Sequence, residues 1–381
     1  MTTRRNFLRL ASAMAAGGVI ERHSADIASA LEQATDGAKE VVWLQGQSCS
    51  GDSMSLLQGD YPSLSEVISD FRLNVTFHPT LMPSAGDDAI EAMSKQPDVL
   101  IVEGSIPTDL PTAATLGRRE NGDPIPVQDW VEELAPKSRY VLTAGNCAAF
   151  GGLPAAKNRR QPNGMGENIT GAKGLQFEGR EKGGVLGEDF TSKAGLPVVN
   201  LAGCPTHPDY ILLTLATVLN GHKPDLDRYN RPKPFFEDNI HDTCALRGYF
   251  DRGEFADKPG EEGCLLKVGC AGPWTYCDDS ERLWNDGTSV CRNVGAPCIG
   301  CMEPEFWDRF SPFYEPVEQQ NEVGVDVETA GAVAVGASVA GIGAHAGRKA
   351  MGYGDTEGEA PPVGDEDGES SAQTDEPTTE D

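Results

Sequence analysis

Five short apolar runs frame the first half of this chain: "EVVWLQG" (40–46), "LNVTFHP" (73–79), "DVLIVEG" (98–104), "RYVLTAG" (139–145) and "LPVVNLAG" (196–203). Each is rich in Val, Leu or Ile, short for a helix, and closed by a Gly or Pro turn, as expected of a strand buried on both faces. Helical patterns lie between or after them: "DSMSLLQG" from Asp52, "AGDDAIEAMSK" from Ala85 and "PDYILLTLATVLNG" from Pro208. Alternating strands and helices with continuous apolar strands build a parallel sheet covered on both sides. The expected fold class is therefore α/β, a flavodoxin-like doubly wound parallel sheet.

Cysteines mark the ends of three of these runs: Cys49 follows the first, Cys147 the fourth and Cys204 the fifth. Open parallel sheets bind ligands outside the carboxyl ends of their strands. Thiols so placed converge on one side of the sheet although they are far apart in sequence, whereas unrelated buried cysteines would not select strand ends. The converging set wants a further ligand. Asp52, in the loop "CSGD" with Cys49, has the chemistry; its competing role is to cap the helix that begins "DSMSLL". Glu103 lies at another strand end, in "VEGSIP".

The second half is built differently. From His241 to Cys301 it carries seven cysteines among Gly, Pro and charged residues, with little periodicity and no obvious core of its own. Spacing divides the ligands into two sets: His241, Cys244, Cys264 and Cys270, then Cys277, Cys291, Cys298 and Cys301. Each has four ligand-competent side chains, which suits tetrahedral zinc or a four-iron cubane. The even total of ten cysteines would also allow five disulfides in an exported protein. Disulfides would leave His241 and the strand-end thiols unexplained.

A formal charge of −28 excludes a general nucleic-acid binder, which needs a basic footprint. The acid is spread along the whole chain and fits a surface that stays soluble in concentrated salt. The N-terminus has the pattern of a twin-arginine export signal: Thr3, Arg4 and Arg5, then Phe7 and Leu8, a weakly apolar stretch, and "ASA" at 28–30 for cleavage, giving a mature chain from about Leu31. The alternative is a basic helix of a cytoplasmic protein. Cargo of that route folds and takes up metal before export, so cysteines can remain ligands in an exported protein. "TAGAVAVGASVAGIGAHAG" (329–347) approaches the length of a membrane span, but Ala and Gly supply little transfer energy. A helix that faces a partner or lies on a membrane surface is the better expectation, with Gly336, Ala340 and Ala344 available for close packing. Beyond Gly352 the acidic tail is too polar to offset its ordering entropy and reads as disordered.

Motifs in fixed order now identify a family. "WLQGQSCSGD", "HPTLM", "VEGSIP", "NCAAFGGLPAA", "GCPTHPD", "RPKPFFEDNIHDTC", "GCLLKVGCAGP", "WNDGTS" and "PCIGCMEPEFWD" span 41–308 and resemble the small subunit of nickel-iron hydrogenases. The resemblance implies an electron relay. Hydrogen is split at a nickel-iron centre in a separate large subunit, and the small subunit passes electrons through iron-sulfur clusters to an acceptor such as a membrane cytochrome b or a quinone-linked protein. By this resemblance Cys49, Cys147 and Cys204 fall on ligands of the proximal cluster. His241, Cys244, Cys264 and Cys270 fall on the distal cluster, and Cys277, Cys298 and Cys301 on the medial one. Glu103 becomes a candidate for the large-subunit interface.

Two positions depart from the family's pattern. Asp52 stands where a second proximal cysteine is usual, and Cys291 where a proline usually leaves a three-iron medial cluster. Counting both, the ligands number twelve, enough for three 4Fe-4S clusters with no thiol left for a disulfide. If Asp52 does not ligate, the proximal cluster is 3Fe-4S or binds water. The extra cysteines that protect some relatives from oxygen would fall at Gly51 and Gly152, and both are glycine. A carboxylate ligand would instead make one iron labile, which would help recovery after oxygen attack. The expected organisation is a signal (1–30), a flavodoxin-like domain with the proximal cluster (31–225), an irregular, cluster-stabilised iron-sulfur domain (226–318), a C-terminal helix (319–350) and an acidic tail (351–381). The expected location is the periplasm-like or cell-surface side of the membrane, peripheral or weakly anchored, in a heterodimer that can extend to a higher oligomer. A quinone-reductase subunit of the complex I type would share the sheet and proximal set but lack the half from 241 to 301.

Overall fold

The apolar runs are all strands, and all lie in one sheet. The computed structural model describes residues 39–315 apart from 60–61, 83–84, 95, 158–167 and 311–312. Strands β1 (Lys39–Gln45), β2 (Leu73–Phe77), β3 (Val99–Glu103), β4 (Tyr140–Ala144) and β5 (Val199–Leu201) pair in parallel in the order β5-β4-β3-β1-β2. That is the flavodoxin-like order. Its register matters for the site. Gln45 pairs with Glu103, Glu103 with Ala144, and Ala144 with Leu201. The carboxyl ends of β1, β3, β4 and β5 therefore lie in one row, and Cys49, Cys147 and Cys204 come a few residues beyond it.

Strand side chains alternate between two cores, as period-two geometry requires. Val41, Trp43, Val99, Ile101 and Leu142 face helices α1 (Gly51–Leu56), α2 (Leu64–Asp70) and α6 (Pro208–Leu219) through Leu56, Val67, Ile211 and Leu215. Val42, Leu44, Leu100, Val102 and Val141 face α3 (Asp87–Met93) and α4 (Val127–Leu134) through Met93, Trp130 and Leu134. A short α5 (Gly145–Phe150) follows β4.

The half beyond α6 has only short helical turns, but it does not lack a core. Phe235, Phe236, Ile240, Leu265, Val268 and Met302 pack with Phe150 of α5 and Tyr210 of α6 in one buried cluster. Tyr210 stacks on Phe235 with ring centroids 4.6 Å apart. Buried Arg231 ties Asp227 to the carbonyl of Met302 at 2.8 and 2.9 Å. The boundary expected at 225/226 thus runs through shared packing, and residues 39–315 all fall in one compact unit. Among the described residues no helix is long and apolar enough to cross a membrane. The signal, the 329–347 stretch and the acidic tail lie outside the described residues.

Candidate metal centres

The row of strand ends brings Cys49, Asp52, Cys147 and Cys204 together. Burial pushes the Cys147 thiol up to about 12, and the charges of Cys204, Asp52 and Cys49 add to the rise. Burial first, then Asp52 and Cys49, raise Cys204 to about 11. Cys147 and Cys204 each feel Asp52 and Cys49, as neighbours in a shared site do. Asp52 is not the helix cap: α1 begins at Gly51, Ser50 occupies the cap position, and no side-chain cap bond forms there. Its Oδ1 accepts from the Thr206 N–H at 2.7 Å, while a Cβ on Gly145 would collide with Oδ2. Gly145 has φ +85°, so glycine is required there both by the backbone and by the room Asp52 occupies. Burial pushes the Asp52 carboxyl up to about 7, against the pull of Thr206 and with the charge of Glu103 adding to the rise. No basic side chain is among the groups that act on it most strongly. A bound cation would supply the missing positive charge.

Glu103 has no exposed surface within this chain. Its carboxylate accepts from Trp43 Nε1 (3.0 Å), Gln45 Nε2 (3.0 Å), Ser48 Oγ (2.9 Å), the Asp52 N–H (3.2 Å) and Ser53 Oγ. It lies beneath the loop that carries Cys49 and Asp52 and holds that loop to the sheet.

His241, Cys244, Cys264 and Cys270 line one small cleft together with Arg247, Gly272 and Arg292. Burial and the neighbouring Arg247 lower the pKa of His241, which favours the neutral imidazole that a metal needs, and its ring meets Phe250 edge-on at 4.6 Å. Cys277, Cys291, Cys298 and Cys301 form the other set. Burial drives Cys277 and Cys301 well above the usual thiol range and Cys298 to about 11. The groups acting on Cys277 include Cys298 and Cys301, and those acting on Cys301 include Cys298, Cys291 and Cys204. The sets also touch one another, since the Cys298 N–H donates to Cys270 Sγ at 3.3 Å. Thiols of neighbouring sets therefore act on one another, Cys204 on Cys301, Cys301 on Cys277, and Cys270 on Cys298.

A local motif recurs in the second half. The Leu246 N–H donates to Cys244 Sγ at 3.4 Å, and the backbone N–H groups of Leu266, Gly272, Asp279 and Gly300 pull down the pKa of the cysteine two residues before each, Cys264, Cys270, Cys277 and Cys298. Such donors stabilise a thiolate that burial opposes. All ten cysteines are unpaired. Among the described residues no three His, Cys, Asp or Glu side chains close tightly enough for a single ion.

Two buried charged groups that adjoin the cysteines have no counterpart in the sequence reading. Asp279, close to Cys277 and Cys301, accepts from Tyr210 Oη at 2.8 Å and Trp284 Nε1 at 2.9 Å. Arg292 is 4% exposed between the His241 and Cys277 sets. The signal for Arg292 is its place directly after Cys291; Asp279 offers none, because burial is a tertiary property.

Comparison with known proteins places both halves. Residues 236–314 match the family of the C-terminal part of the NiFe/NiFeSe hydrogenase small subunit, and 49–218 match the NADH ubiquinone oxidoreductase 20 kDa subunit family. The small subunit of F420 non-reducing hydrogenase II from Methanosarcina mazei is 34% identical, covering 92% of this chain and 94% of its own length. The periplasmic [NiFeSe] hydrogenase small subunit of Desulfomicrobium baculatum is 37% identical over 82% of this chain and 98% of its own. The crystal structure of the reduced, active Ni-Fe-Se hydrogenase from Desulfomicrobium baculatum covers 74% of this chain and 100% of the matched chain, with a TM-score of 0.63 at 36% identity.

Proposed function

Because this chain belongs to the small-subunit family of nickel-iron hydrogenases, we propose that its ligand sets hold three iron-sulfur clusters in a line and pass electrons between the large subunit's hydrogen-splitting centre and an external acceptor. The observation that carries this reading is that the three ligand sets adjoin: Cys204 of the strand-end set acts on Cys301, and the Cys298 N–H donates to Cys270 Sγ of the His241 set. The 20 kDa-subunit likeness covers only the sheet half, and the second half is what distinguishes a hydrogenase subunit.

The clusters supply one-electron redox capacity when bound. The chain's own residues do the rest. Cys49, Cys147, Cys204 and Asp52 hold the proximal cluster at the strand ends; Cys49 and Cys204 are exposed in the isolated chain, where the large subunit would cover them. Cys277, Cys291, Cys298 and Cys301 hold the medial cluster, with Cys291 supplying the fourth thiolate of a four-iron site. His241, Cys244, Cys264 and Cys270 hold the distal one, and neutral His241 leaves it less negative than four thiolates would. A polynuclear cluster binds one ligand per iron around a broad core, so its ligands need not meet at one point. Asp52 has Oδ1 committed to Thr206, which leaves Oδ2 for iron; a carboxylate is harder than a thiolate and releases iron more readily. Oxygen recovery would then rest on Asp52. A thiol at Gly152 has no room, since its Cβ would lie 2.8 Å from Cys147 Sγ at a φ of +53°. Export by the twin-arginine route and a membrane-linked acceptor complete the reading.

Iron and sulfide analysis of the co-purified heterodimer, with EPR, tests it. Three four-iron clusters are expected; zinc in place of iron would overturn the reading. Asp52→Cys is expected to change the proximal cluster's spectrum, and a spectrum identical to wild type across the redox range would remove Asp52 from the ligands. An oxidised three-iron signal from the medial site would remove Cys291.

A further inference from the structure

Arg292 presents a problem that the chain alone does not solve. Its side chain is buried, and neither Nε nor Nη2 has a hydrogen-bond partner among the described residues. A buried guanidinium with two idle donors costs several kcal/mol unless an anion meets it, on the order of what breaking a buried ion pair costs. The other buried arginines are provided for: Arg231 has Asp227 and Glu303, and Arg282 has Asp278 and Asp209. The groups that act most strongly on Arg292 are all thiols, namely Cys298 and Cys277 of one set and Cys244 and Cys270 of the other. It also lines the cleft formed by His241, Cys244, Cys264 and Cys270.

We propose that Arg292 is a positioning residue shared by the medial and distal clusters, its idle N–H groups meeting cluster sulfurs and its fixed positive charge raising the reduction potential of both. The inference rests on the three-cluster reading above. An iron-sulfur cluster with thiolate ligands is anionic, and each electron it accepts makes it more so; a nearby cation that solvent cannot screen favours the reduced form. Arg292 follows Cys291 directly, so the residue pair adds one negative and one positive charge together. A fourth medial thiolate by itself would lower the medial potential. The adjacent guanidinium opposes that drop and extends the same effect to the distal cluster, which keeps the two potentials close as an electron passes between them.

The test is redox titration, followed by EPR, of the complete heterodimer carrying R292M, R292Q or R292K, with iron content measured on each. The neutral variants are expected to move both midpoints negative by at least tenfold in the reduced-to-oxidised ratio, 59 mV for a one-electron couple. R292K should stay within threefold of wild type. A midpoint unmoved at either cluster in the neutral variants, or a lysine variant that behaves as they do, overturns the proposal. If the neutral variants lose iron, R292K decides: full iron with that variant supports the need for a cation, and loss there too refutes it. Wild-type protein without the medial and distal signals would sink the three-cluster reading itself, a result distinct from wild-type clusters whose potentials ignore residue 292.

Discussion

The strand-end site and the sites between 241 and 301 use the same ligand chemistry on opposite kinds of scaffold. In the first, hydrogen-bonded register aligns the strand ends before any metal arrives, and Glu103 fastens the loop between them. In the second, helical turns of a few residues and an aromatic core shared with α5 and α6 take the place of a sheet. The second scaffold is therefore expected to depend on bound metal more than the first.

Removing iron should separate the two regions most strongly. In protein produced without iron, backbone amides between 241 and 301 are expected to exchange at least ten-thousandfold faster, about 5.5 kcal/mol, while those of β1, β3 and β4 change little. Uniform loosening by hydrogen exchange would break the comparison. Next in size, Glu103→Ala leaves the buried donors Trp43 Nε1, Ser53 Oγ and the Asp52 N–H without an acceptor. A loss of about 3 to 5 kcal/mol in chemical denaturation is expected, with iron lost from the strand-end site before the others.

His78 gives the sheet region its own pH response. Its imidazole stacks on Trp43 at 4.8 Å and leaves Nε2 without a partner among the described residues, and burial lowers its pKa to about 4 against the opposing charge of Glu103. The unfolded chain binds the proton near pH 6.5 and the folded chain only near 4, so stability falls as pH drops through that window. The loss approaches about 3 kcal/mol, and His78→Gln should flatten it. An unchanged pH profile of thermal unfolding would remove His78 from the account. The smallest effect belongs to Ser63→Ala, which breaks the capping box of α2; about 1 kcal/mol of stability should go with iron content unchanged.

Legibility in the sequence follows the same divide. The strands and their order are readable because apolar runs and turn residues are local signals, and the thiols are readable because cysteine at a strand end has few other uses. Helix α2 is missed although Ser63 and Glu66 spell its capping box, and α4 although Val127, Trp130, Val131 and Leu134 repeat at helical spacing. The shared aromatic core is hidden because Phe235 and Phe236 find Tyr210 only through the tertiary fold. Glu103 is visible at its strand end, but its complete burial is not, since nothing local separates a carboxylate under a loop from one on a surface. The burial of Arg292 is hidden for the same reason, although its place directly after Cys291 is legible.

The N–H groups aimed at sulfur have an evolutionary corollary. They belong to the main chain, so no exchange of side chain at 246, 266, 272, 279 or 300 can delete them, save one. Half-buried Leu246 and Leu266 can drift in size and charge while the amide persists, whereas Gly300, at φ +75° with Phe310 against its Cβ position, and buried Asp279, held by Tyr210 and Trp284, cannot; proline, which has no amide hydrogen, is the residue that selection must keep out of all five.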